Sequence, residues 1–361
     1  MMQIDTIAIL GAGNGGRAMA ADLTLAGFKV NLYELPQFAG SIEHILKSGE
    51  IVISGVAREG KAKINLVTTD IAEALYGVEL VLLCVPSFGQ KMMAEICAPV
   101  LRDGMTVVLI PGGFGSFVFY RVLQDLGINK NITLAEVATL PYGARIISPE
   151  EVIVHINAIN LPTGVFPSTR TAEVIKTLQN LYPAITAAED ILDVALNNVN
   201  PCVHPAPSIL NTGRIEYADD FYLYREAMTP SVRRVMVAVD RERQAVREAW
   251  GYKPPHFGLD PDTYEVFEDY FGRGGVDQAG KKMRGPLSMK DRYITEDIPY
   301  GLVLYASAGD VVGVDTPACD ALINLASIIN KEDYWQTGRT FASLGLENIV
   351  PAKLKELLHN G

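Results

Sequence analysis

The amino-acid sequence predicts an α/β protein in which a doubly wound parallel sheet is followed by an all-helical domain. The first 34 residues contain a strand, a glycine-rich turn, a helix and a second strand. Apolar, β-branched runs then alternate with helical segments up to about residue 185, and this alternation is typical of a parallel sheet covered by helices. From about Glu189 onwards strand-like runs almost disappear. We therefore predict two domains, comprising residues 1–187 and residues 188–361.

The N-terminal βαβ unit carries the motif G-x-G-x-x-G between its first strand and its helix. The predicted elements are a strand at Thr6–Leu10, a helix at Arg17–Leu23 and a strand at Val30–Tyr33, and the turn consists of Gly11, Ala12, Gly13, Asn14, Gly15 and Gly16. Gly11 permits the tight turn, Gly13 lets the backbone approach a pyrophosphate, and Gly16 lets the helix lie close to the strand. The helix N-terminus offers free N–H groups and a positive dipole end to phosphates. The motif alone also fits a turn without a ligand, but its βαβ context predicts a Rossmann-type dinucleotide site.

The acid at the end of the second strand indicates which dinucleotide binds. The carboxylate of Glu34 can accept both hydroxyls of an adenosine ribose, and it would repel a 2′-phosphate. No Arg or Lys occurs at positions 35–38 to neutralise such a phosphate. The sequence therefore favours NAD, and NADP is the less favoured alternative. Val85 and Pro86 end another apolar strand at the carboxyl edge of the sheet, where open α/β folds bind ligands, so they are also predicted to contact the cofactor.

The remaining elements are predicted from apolar runs and helical periodicity. Further strands are expected at 50–53, 62–67, 80–86, 106–110, 133–136 and 152–158, and further helices at 42–48, 71–75, 89–101, 117–126 and 168–181. Asp70 is the expected N-cap of the helix that follows it. In the second half, the pairs Thr229-Pro230 and Thr316-Pro317 suit helix starts, with proline at the first helical position.

Composition excludes several classes of function. The formal net charge of −11 argues against a nucleic-acid partner, because phosphate binding needs a basic face. No apolar run approaches the length of about 20 residues that spans a bilayer, so no membrane association is expected. No targeting segment is recognised, and the four cysteines are scattered without a C-x-x-C pair. We expect a cytoplasmic protein.

Two stretches of the helical half contain residues suited to chemistry. His204 lies in an Asn-rich, Pro-flanked stretch that is a poor helix interior, and Arg292 and Asp297 lie together in the second stretch. A carboxylate beside an imidazole would fix its tautomer and leave the other nitrogen to exchange a proton, so His204 and Asp297 are the predicted acid–base pair. Arg292 offers a bidentate fork for a substrate carboxylate. Asn197 and Asn200 are predicted substrate contacts.

Each of these residues also has a purely structural interpretation. His204 could be a hydrogen-bonded core residue, Asp297 could cap a helix that starts at Ile298, and Arg292 could be a surface charge. Asn197 and Asn200 could cap or bridge backbone groups. The segment Cys202-Val203-His204 could hold a metal, but no further Cys/His cluster completes a site, so no metal is predicted.

The chain resembles the octopine/nopaline-type opine dehydrogenases, especially the bacterial N-(1-carboxyethyl)-norvaline dehydrogenase type. The resemblance extends over nearly the full length and both domains. It rests on the glycine turn, Asn197 to Pro205, Thr229 to Val232, Arg292 to Leu302, Gly338 to Thr340, and Leu344 to Leu346. The Asn-Val-Asn…His-Pro and Arg-Tyr…Glu-Asp…Gly-Leu motifs are much more specific than the glycine turn. The chain departs from the family pattern at 201–203, 217–224 and 254–275, where the amino-acid pocket is expected.

This resemblance implies both a fold and an activity. It implies a Rossmann domain, a helical domain similar to the C-terminal domain of 6-phosphogluconate dehydrogenase, and an active site in the cleft between them. The sequence leaves the oligomeric state open, with a homodimer as one candidate. The implied reaction is the NAD(P)H-dependent reductive condensation of an L-amino acid with a 2-oxo acid such as pyruvate, and its reverse. The family's catalytic His carries over to His204, its partner Asp to Asp297, and its carboxylate-binding Arg to Arg292.

Two alternatives remain open at this level. One is a related NAD(P)-dependent reductase of a hydroxy acid, ketopantoate or a sugar phosphate, many of which use a Lys as proton donor. No Lys occurs between Asn197 and Arg225, which disfavours that alternative. The other is a non-catalytic, NAD(H)-responsive binding protein, against which the joint presence of His204, Arg292 and Asp297 argues.

Overall fold

The chain divides into two compact units, and the computed structural model describes residues 4–256, 259, 272 and 284–361 of it. The first unit, here the sheet unit, comprises Met1–Val194 and Leu358–Gly361, and the second, the helical unit, comprises Ala195–Leu357. The domain boundary predicted between residues 187 and 188 lies shortly before this division. Much of the predicted pocket segment 254–275 lies outside the described residues.

The described strands all belong to the sheet unit and form two sheets. In chain order they are β1 Thr6–Leu10, β2 Lys29–Tyr33, β3 Glu50–Gly55, β4 Gly60–Lys63, β5 Leu66–Thr68, β6 Leu80–Leu83, β7 Thr106–Leu109, β8 Thr133–Val137, β9 Tyr142–Ile146, β10 Glu151–Asn157, β11 Leu161–Phe166 and β12 Ile185–Ala187. The larger sheet has the order β12-β11-β8-β7-β6-β1-β2-β5. Its neighbouring strands are parallel except β8 and β11.

The order of the larger sheet reverses at β1, which lies between β2 and β6. Loops that follow strands on the two sides of such a reversal diverge and leave a crevice at the carboxyl edge. The glycine turn follows β1, Glu34 follows β2, and Val85 follows β6. The fold therefore brings the three predicted parts of the dinucleotide site to one edge.

Helices cover the larger sheet. Those of the sheet unit are α1 Asn14–Leu25, α2 Glu43–Ser48, α3 Ile71–Leu75, α4 Gln90–Cys97, α5 Gly115–Asp125 and α6 Thr171–Gln179, with short 3₁₀ segments at Pro36–Ile42, Ser87–Gly89 and Ser168–Arg170. The Asp70 cap is confirmed, since its carboxylate accepts the N–H groups of Ala72 and Glu73. The α/β fold class predicted from the sequence is likewise confirmed, with a parallel sheet at its centre.

The smaller sheet is not anticipated from the sequence. It has the order β4-β3-β10-β9 and combines two antiparallel hairpins through a parallel β3–β10 pair. Alternate residues along β3 and β10, such as Ile51, Ile53, Val152 and Val154, are buried. This sheet and the larger one both pack against α1, so Gly15 to Leu23 are buried on every side of that helix.

Three strand predictions need correction. The strands expected at 50–53 and 152–158 exist, but they lie in the smaller sheet. The single strand expected at 62–67 is two strands, β4 and β5, which belong to different sheets. Strand β11 was not predicted because Pro162 and Gly164 weaken its pattern. A Cβ at Gly164 would lie 2.3 Å from the carbonyl oxygen of Asp190, so the close packing there requires glycine.

The described part of the helical unit consists of helices and connecting turns. Continuing the numbering, they are α7 Ile191–Leu196, α8 Asn200–Val203, α9 Pro205–Ile209, α10 Thr212–Tyr217, α11 Pro230–Ala249, α12 Arg292–Thr295, α13 Val303–Val312, α14 Pro317–Asn330, α15 Tyr334–Thr337 and α16 Pro351–Asn360. The divisions between the two units fall within α7 and α16. Two π-helical turns occur at Leu223–Ala227 and Ile298–Leu302. None of the helices in the described ranges has the length and apolar character needed to cross a membrane.

The two predicted proline helix starts are confirmed, but the preceding threonines do not cap them. Helices α11 and α14 begin at Pro230 and Pro317, and neither preceding threonine side chain accepts a capping bond. The carboxylate of Glu242 on α11 caps α14 instead, since it accepts the N–H groups of Ala318 at 2.7 Å and Cys319 at 2.9 Å. This cap joins two helices of the unit.

Candidate active site

The glycine turn after β1 is shaped by two positions that tolerate no side chain. Gly11 has φ +102°, and a Cβ there would lie 2.4 Å from the carbonyl oxygen of Cys84. A Cβ at Gly16 would lie 1.8 Å from the carbonyl oxygen of Gly11. A side chain at Gly16 would push the helix away from the strand, and one at Gly11 would clash with the segment after β6 in a backbone conformation that favours glycine.

The tip of the same turn is open. Gly13 and Asn14 are exposed, whereas the other four residues of the turn are buried. A Cβ at Gly13 would meet nothing within 4 Å, and no side chain caps the N-terminus of α1. The amide oxygen of Asn14 accepts the N–H of Ile146 at 2.8 Å, so that side chain is turned toward β9. The backbone at Gly13 and Asn14 therefore remains available to a phosphate group.

A buried arginine, Arg17, stabilises the glycine turn by hydrogen bonds to backbone carbonyl oxygens. Arg17 donates from Nε to the carbonyl oxygen of Ala12 at 2.9 Å, and from its two terminal nitrogens to those of Pro149 at 3.0 Å and Ser41 at 2.6 Å. Desolvation lowers the pKa of its guanidinium, and the nearby charge of Glu34 raises it in part. Sequence reasoning assigned no role to Arg17, because nothing in the local pattern shows that its partners are three distant backbone carbonyls.

Glu34 is fixed against the turn by two backbone hydrogen bonds. Its Oε2 accepts the N–H of Ala12 at 2.8 Å, and its Oε1 accepts the N–H of Leu35 at 2.8 Å. Each carboxylate oxygen keeps a further lone pair for an external donor. An open phosphate-binding turn beside an oriented carboxylate fits an NAD molecule with an unmodified adenosine ribose.

Val85 and Pro86 lie next to this turn. A Cβ built on Gly11 would come within 2.9 Å of Val85 Cγ1, which places the valine side chain directly against the turn. Val85 is half-buried and Pro86 is exposed at the start of a 3₁₀ segment. Their contact with the cofactor stays a prediction, and their position at the sheet edge is compatible with it.

The loop after β7 is stabilised by a buried acid that sequence reasoning did not single out. Glu136 on β8 is 0% exposed, and its two oxygens accept the N–H groups of Phe114 at 2.8 Å and Ser116 at 3.1 Å. Gln90 donates to the carbonyl oxygen of Gly112 at 3.0 Å. These contacts fix a second loop at the carboxyl edge of the larger sheet.

Replacement of Glu34 by alanine is expected to weaken NADH binding by ~10–100-fold, because hydrogen bonds to a charged group are worth about 1.5–3 kcal/mol. The ratio of NADPH to NADH dissociation constants should fall as well, because the repulsion of a 2′-phosphate is removed. Fluorescence titration with both cofactors measures the effect, and Glu43→Ala, on the exposed face of α2, serves as the matched control. An unchanged ratio would refute the ribose assignment.

In the helical unit, the structure brings His204 and Asp297 together. His204 occupies the junction of α8 and α9, and Asp297 precedes the π-helical turn Ile298–Leu302. His204 Nδ1 lies 2.8 Å from Asp297 Oδ2, although the residues are 93 positions apart. His204 is only 6% exposed, so this pair lies in a largely desolvated environment. The arrangement can hold the imidazole in one tautomer and one orientation.

Two tyrosines complete the surroundings of His204, and sequence reasoning missed both. The Nε2 atom lies 2.9 Å from the hydroxyl of Tyr224. The ring of Tyr293 stacks on the imidazole with a centroid separation of 4.0 Å and an interplanar angle of 11°. Tyr224 lies within a stretch noted only as a departure from the family pattern. Tyr293 belongs to the Arg-Tyr motif that begins at Arg292, but the sequence assigns it no role at the site.

Arg292 lies beside this group at the surface. It begins α12, its side chain is 52% exposed, and its guanidinium carbon lies 5.5 Å from the centroid of the Tyr293 ring. Its Nη1 is 3.8 Å from Glu296 Oε2. Desolvation lowers the pKa of the guanidinium, but nearby anionic groups raise the pKa by more than this loss. An exposed, permanently charged fork is suited to a carboxylate ligand.

The two predicted asparagines have different environments. Asn197 is buried, and its Oδ1 accepts from Arg243 at 3.2 Å. Asn200 is half-buried, and its carbonyl oxygen accepts the N–H of His204 at 3.0 Å, one helical turn away. The contact of Asn197 matches its structural alternative. Asn200 is the less buried of the two, and for both residues substrate binding stays a prediction.

A metal site receives no support from the surroundings of His204. Cys202 is fully buried, and burial raises the pKa of its thiol well above the ordinary value, with the charge of Asp240 adding to the effect. Within residues 4–256 and 284–361, no group of three or more His, Cys, Asp or Glu side chains is suited to hold a metal ion. The neutral thiol therefore acts as a core residue.

Comparison with known proteins yields similarity along the whole chain. Residues 187–330 match the family model described as NAD/NADP octopine/nopaline dehydrogenase, alpha-helical domain. Residues 7–131 match the model for ketopantoate reductase PanE/ApbA. The two halves thus resemble different families, and the half that contains His204 and Asp297 matches the first.

Individual relatives cover nearly the full length. The chain is 30% identical to the opine dehydrogenase of Arthrobacter sp. (strain 1C), over 98% of this chain and 99% of that protein. It is 26% identical to Protein ocs of Agrobacterium tumefaciens (strain Ach5), over 94% and 95% of the two chains. The fold is similar to that of an octopine dehydrogenase solved with NADH and pyruvate, with a TM-score of 0.74, 22% identity, and coverage of 97% and 98%.

Proposed function

Because the chain belongs to the octopine/nopaline-type opine dehydrogenase family, we propose that it condenses an L-amino acid with a 2-oxo acid, such as pyruvate, using NADH. The enzyme is an oxidoreductase acting on CH–NH bonds, and it also catalyses the reverse oxidation. The observation that carries this proposal is the 2.8 Å contact between His204 and Asp297 in the half that matches the octopine/nopaline dehydrogenases. NADP is the less favoured cofactor.

The proposed binding roles follow the chemistry of each group. The turn at residues 11–16 and Glu34 would hold the pyrophosphate and ribose of the cofactor. Arg292 would hold the 2-oxo acid carboxylate through two parallel hydrogen bonds, which its exposed fork supports. Asn200 would contact the substrate one helical turn before His204, and Asn197 would act near it.

The proposed proton chemistry centres on His204. The amine nitrogen bonds to the oxo carbon, and the resulting carbinolamine must lose its hydroxyl group as water to form the C=N bond. The His204 imidazolium supplies the proton that this oxygen needs, and Asp297 stabilises the imidazolium charge. When bound, NADH supplies the hydride that reduces the imine carbon. In the reverse direction neutral His204 takes the proton that water releases as it adds to the imine.

The reaction test measures NADH oxidation with pyruvate, with and without a mixture of L-amino acids. The proposal expects oxidation only when both are present, and mass spectrometry should find the N-(1-carboxyethyl) derivative of the amino acid. Omitting amino acids one at a time then identifies the substrate.

Two outcomes would contradict the proposal. Oxidation with pyruvate alone would indicate a hydroxy-acid reductase, the alternative favoured by the similarity of residues 7–131 to ketopantoate reductases. No oxidation with any oxo acid or with NADPH, while NADH still binds, would indicate a non-catalytic NAD(H)-responsive protein.

The proposed cellular setting is the cytoplasm, and the proposed assembly is a homodimer. No disulfide joins the four cysteines, all of which lie in the described part of the chain, and this fits a reducing compartment. Analytical ultracentrifugation tests the assembly, and a monomer at micromolar concentration would contradict it.

A further inference from the structure

We propose that Tyr224 transfers the proton between His204 and the substrate, so that the acid–base unit is a chain of three residues ending at the tyrosine hydroxyl. The inference rests on the proposed function of the His204 site. It makes Tyr224 the group that touches the reacting oxygen. His204 and Asp297 then act through it.

The hydrogen bonds determine the direction of proton donation along this chain. An ionised carboxylate can only accept, so Asp297 Oδ2 at 2.8 Å requires a proton on His204 Nδ1. In the neutral imidazole Nε2 is therefore the acceptor, and the Tyr224 hydroxyl at 2.9 Å donates to it. When the imidazole is protonated, the Nε2–H group donates to the same tyrosine oxygen. The contact can therefore conduct a proton in both directions.

Burial leaves little room for direct contact between His204 and a substrate. His204 is 6% exposed, Tyr293 covers one face of its ring at 4.0 Å, and Asp297 occupies Nδ1. The remaining nitrogen already meets Tyr224, which is itself half-buried. A proton that leaves Nε2 along this contact therefore passes through the tyrosine oxygen.

The backbone around Tyr224 is held in an uncommon conformation. Tyr224 belongs to the π-helical turn Leu223–Ala227, and such turns are rare and are frequently found at functional sites. Leu223 and Ala227 at the two ends of the turn are both 0% exposed. The carboxylate of Glu226 accepts the N–H of Tyr222 at 2.8 Å and closes the turn. These contacts hold the tyrosine against His204.

The proposed step balances protons without another reactant. In condensation the Tyr224 hydroxyl gives its proton to the leaving oxygen of the carbinolamine, and the C–O bond breaks to release water. At the same time the tyrosine oxygen receives the proton from Nε2 of the His204 imidazolium. The tyrosine ends neutral, the imidazole ends neutral, and one proton has moved from His204 to water. The reverse reaction moves the same proton back.

The test compares Tyr224→Phe with the wild-type enzyme under saturating NADH, pyruvate and amino acid. The expected kcat is lower by ~10²-fold, as for a lost proton-transfer group, while the KM for pyruvate and the NADH dissociation constant change little. Tyr76→Phe is the control, since Tyr76 is 83% exposed in the sheet unit. A second variant carries 3-fluorotyrosine at position 224. It should keep most of the activity, because it retains a hydroxyl group beside His204 Nε2.

Each result decides between the alternatives. A Tyr224→Phe kcat within threefold of the wild-type value overturns the relay, because the hydroxyl is then not needed for turnover. A kcat that rises while the KM for pyruvate falls also overturns it, because the hydroxyl would then only occupy the position that the substrate takes when it binds. A 3-fluorotyrosine variant as slow as Tyr224→Phe also overturns it, because that variant retains the hydroxyl. If the wild-type enzyme shows no amine-dependent oxidation, the proposed function fails and takes the relay with it. If the wild-type enzyme turns over and the Tyr224→Phe variant is equally active, the relay is wrong and the proposed function stands.

Discussion

Replacement of His204 by alanine is expected to reduce kcat by ~10²–10⁴-fold, the usual loss when an acid–base group is removed. The variant keeps the glycine turn and Glu34, which lie in the sheet unit, so NADH affinity should change little. Steady-state kinetics in the condensation direction and an NADH titration measure the two effects separately. His44→Ala is the matched control, because His44 is half-exposed and pairs only loosely with Glu150 at 3.8 Å.

Two results would contradict this assignment. A loss of activity below tenfold would remove His204 from the mechanism and favour its alternative as a hydrogen-bonded core residue. An equal loss in the His44→Ala control would indicate a general effect on the protein. The comparison with Tyr224→Phe adds information, since two members of one proton-transfer unit should not reduce kcat additively.

Replacement of Arg243 by methionine is expected to destabilise the helical unit by about 3–5 kcal/mol, because it leaves a buried carboxylate without its partner. Arg243 is 0% exposed, and its Nη2 lies 2.9 Å from Asp240 Oδ1. Its Nη1 also donates to the carbonyl oxygen of Leu196 at 2.7 Å and to the side chain of Asn197. The change therefore also releases the segment that leads to His204.

Denaturant unfolding followed by tryptophan fluorescence measures this effect locally. The two tryptophans of the chain, Trp250 and Trp335, both belong to the helical unit. The double variant Asp240→Leu/Arg243→Met is the control, since replacing a whole buried ion pair by apolar groups is often far less costly than removing one partner. If Arg243→Met alone lost less than about 1 kcal/mol, the buried pair would not be a support of this unit.

The parts of the fold that depend on short stretches of sequence could be predicted from the sequence. The Asp70 cap and the helix start at Pro230 depend on residues within one turn of each other, and the βαβ unit lies within the first 34 residues. The smaller sheet could not be predicted, because β3 pairs with β10 about 100 residues later in the chain. Hydrophobic periodicity shows that a strand exists, and it does not show which strand will pair with it.

The same distinction between local and long-range features applies to the candidate site. His204, Asp297 and Arg292 have side chains whose chemistry attracts attention in isolation. Tyr224 is 20 residues from His204 and is one of several tyrosines in its stretch, so only the fold reveals its contact. The burial of Arg243 could not be predicted either, because a charged residue on an amphipathic helix is normally assigned to the solvent face.

The two hydrogen bonds of Glu34 have a consequence for attempts to change the cofactor preference. The carboxylate that would discriminate against a 2′-phosphate also accepts the N–H of Ala12 in the phosphate-binding turn. A substitution that admits NADP therefore removes an anchor of the turn on which both cofactors depend. Selectivity and affinity are coupled at this position. An engineered switch would need a second substitution that supplies a new acceptor for the Ala12 amide.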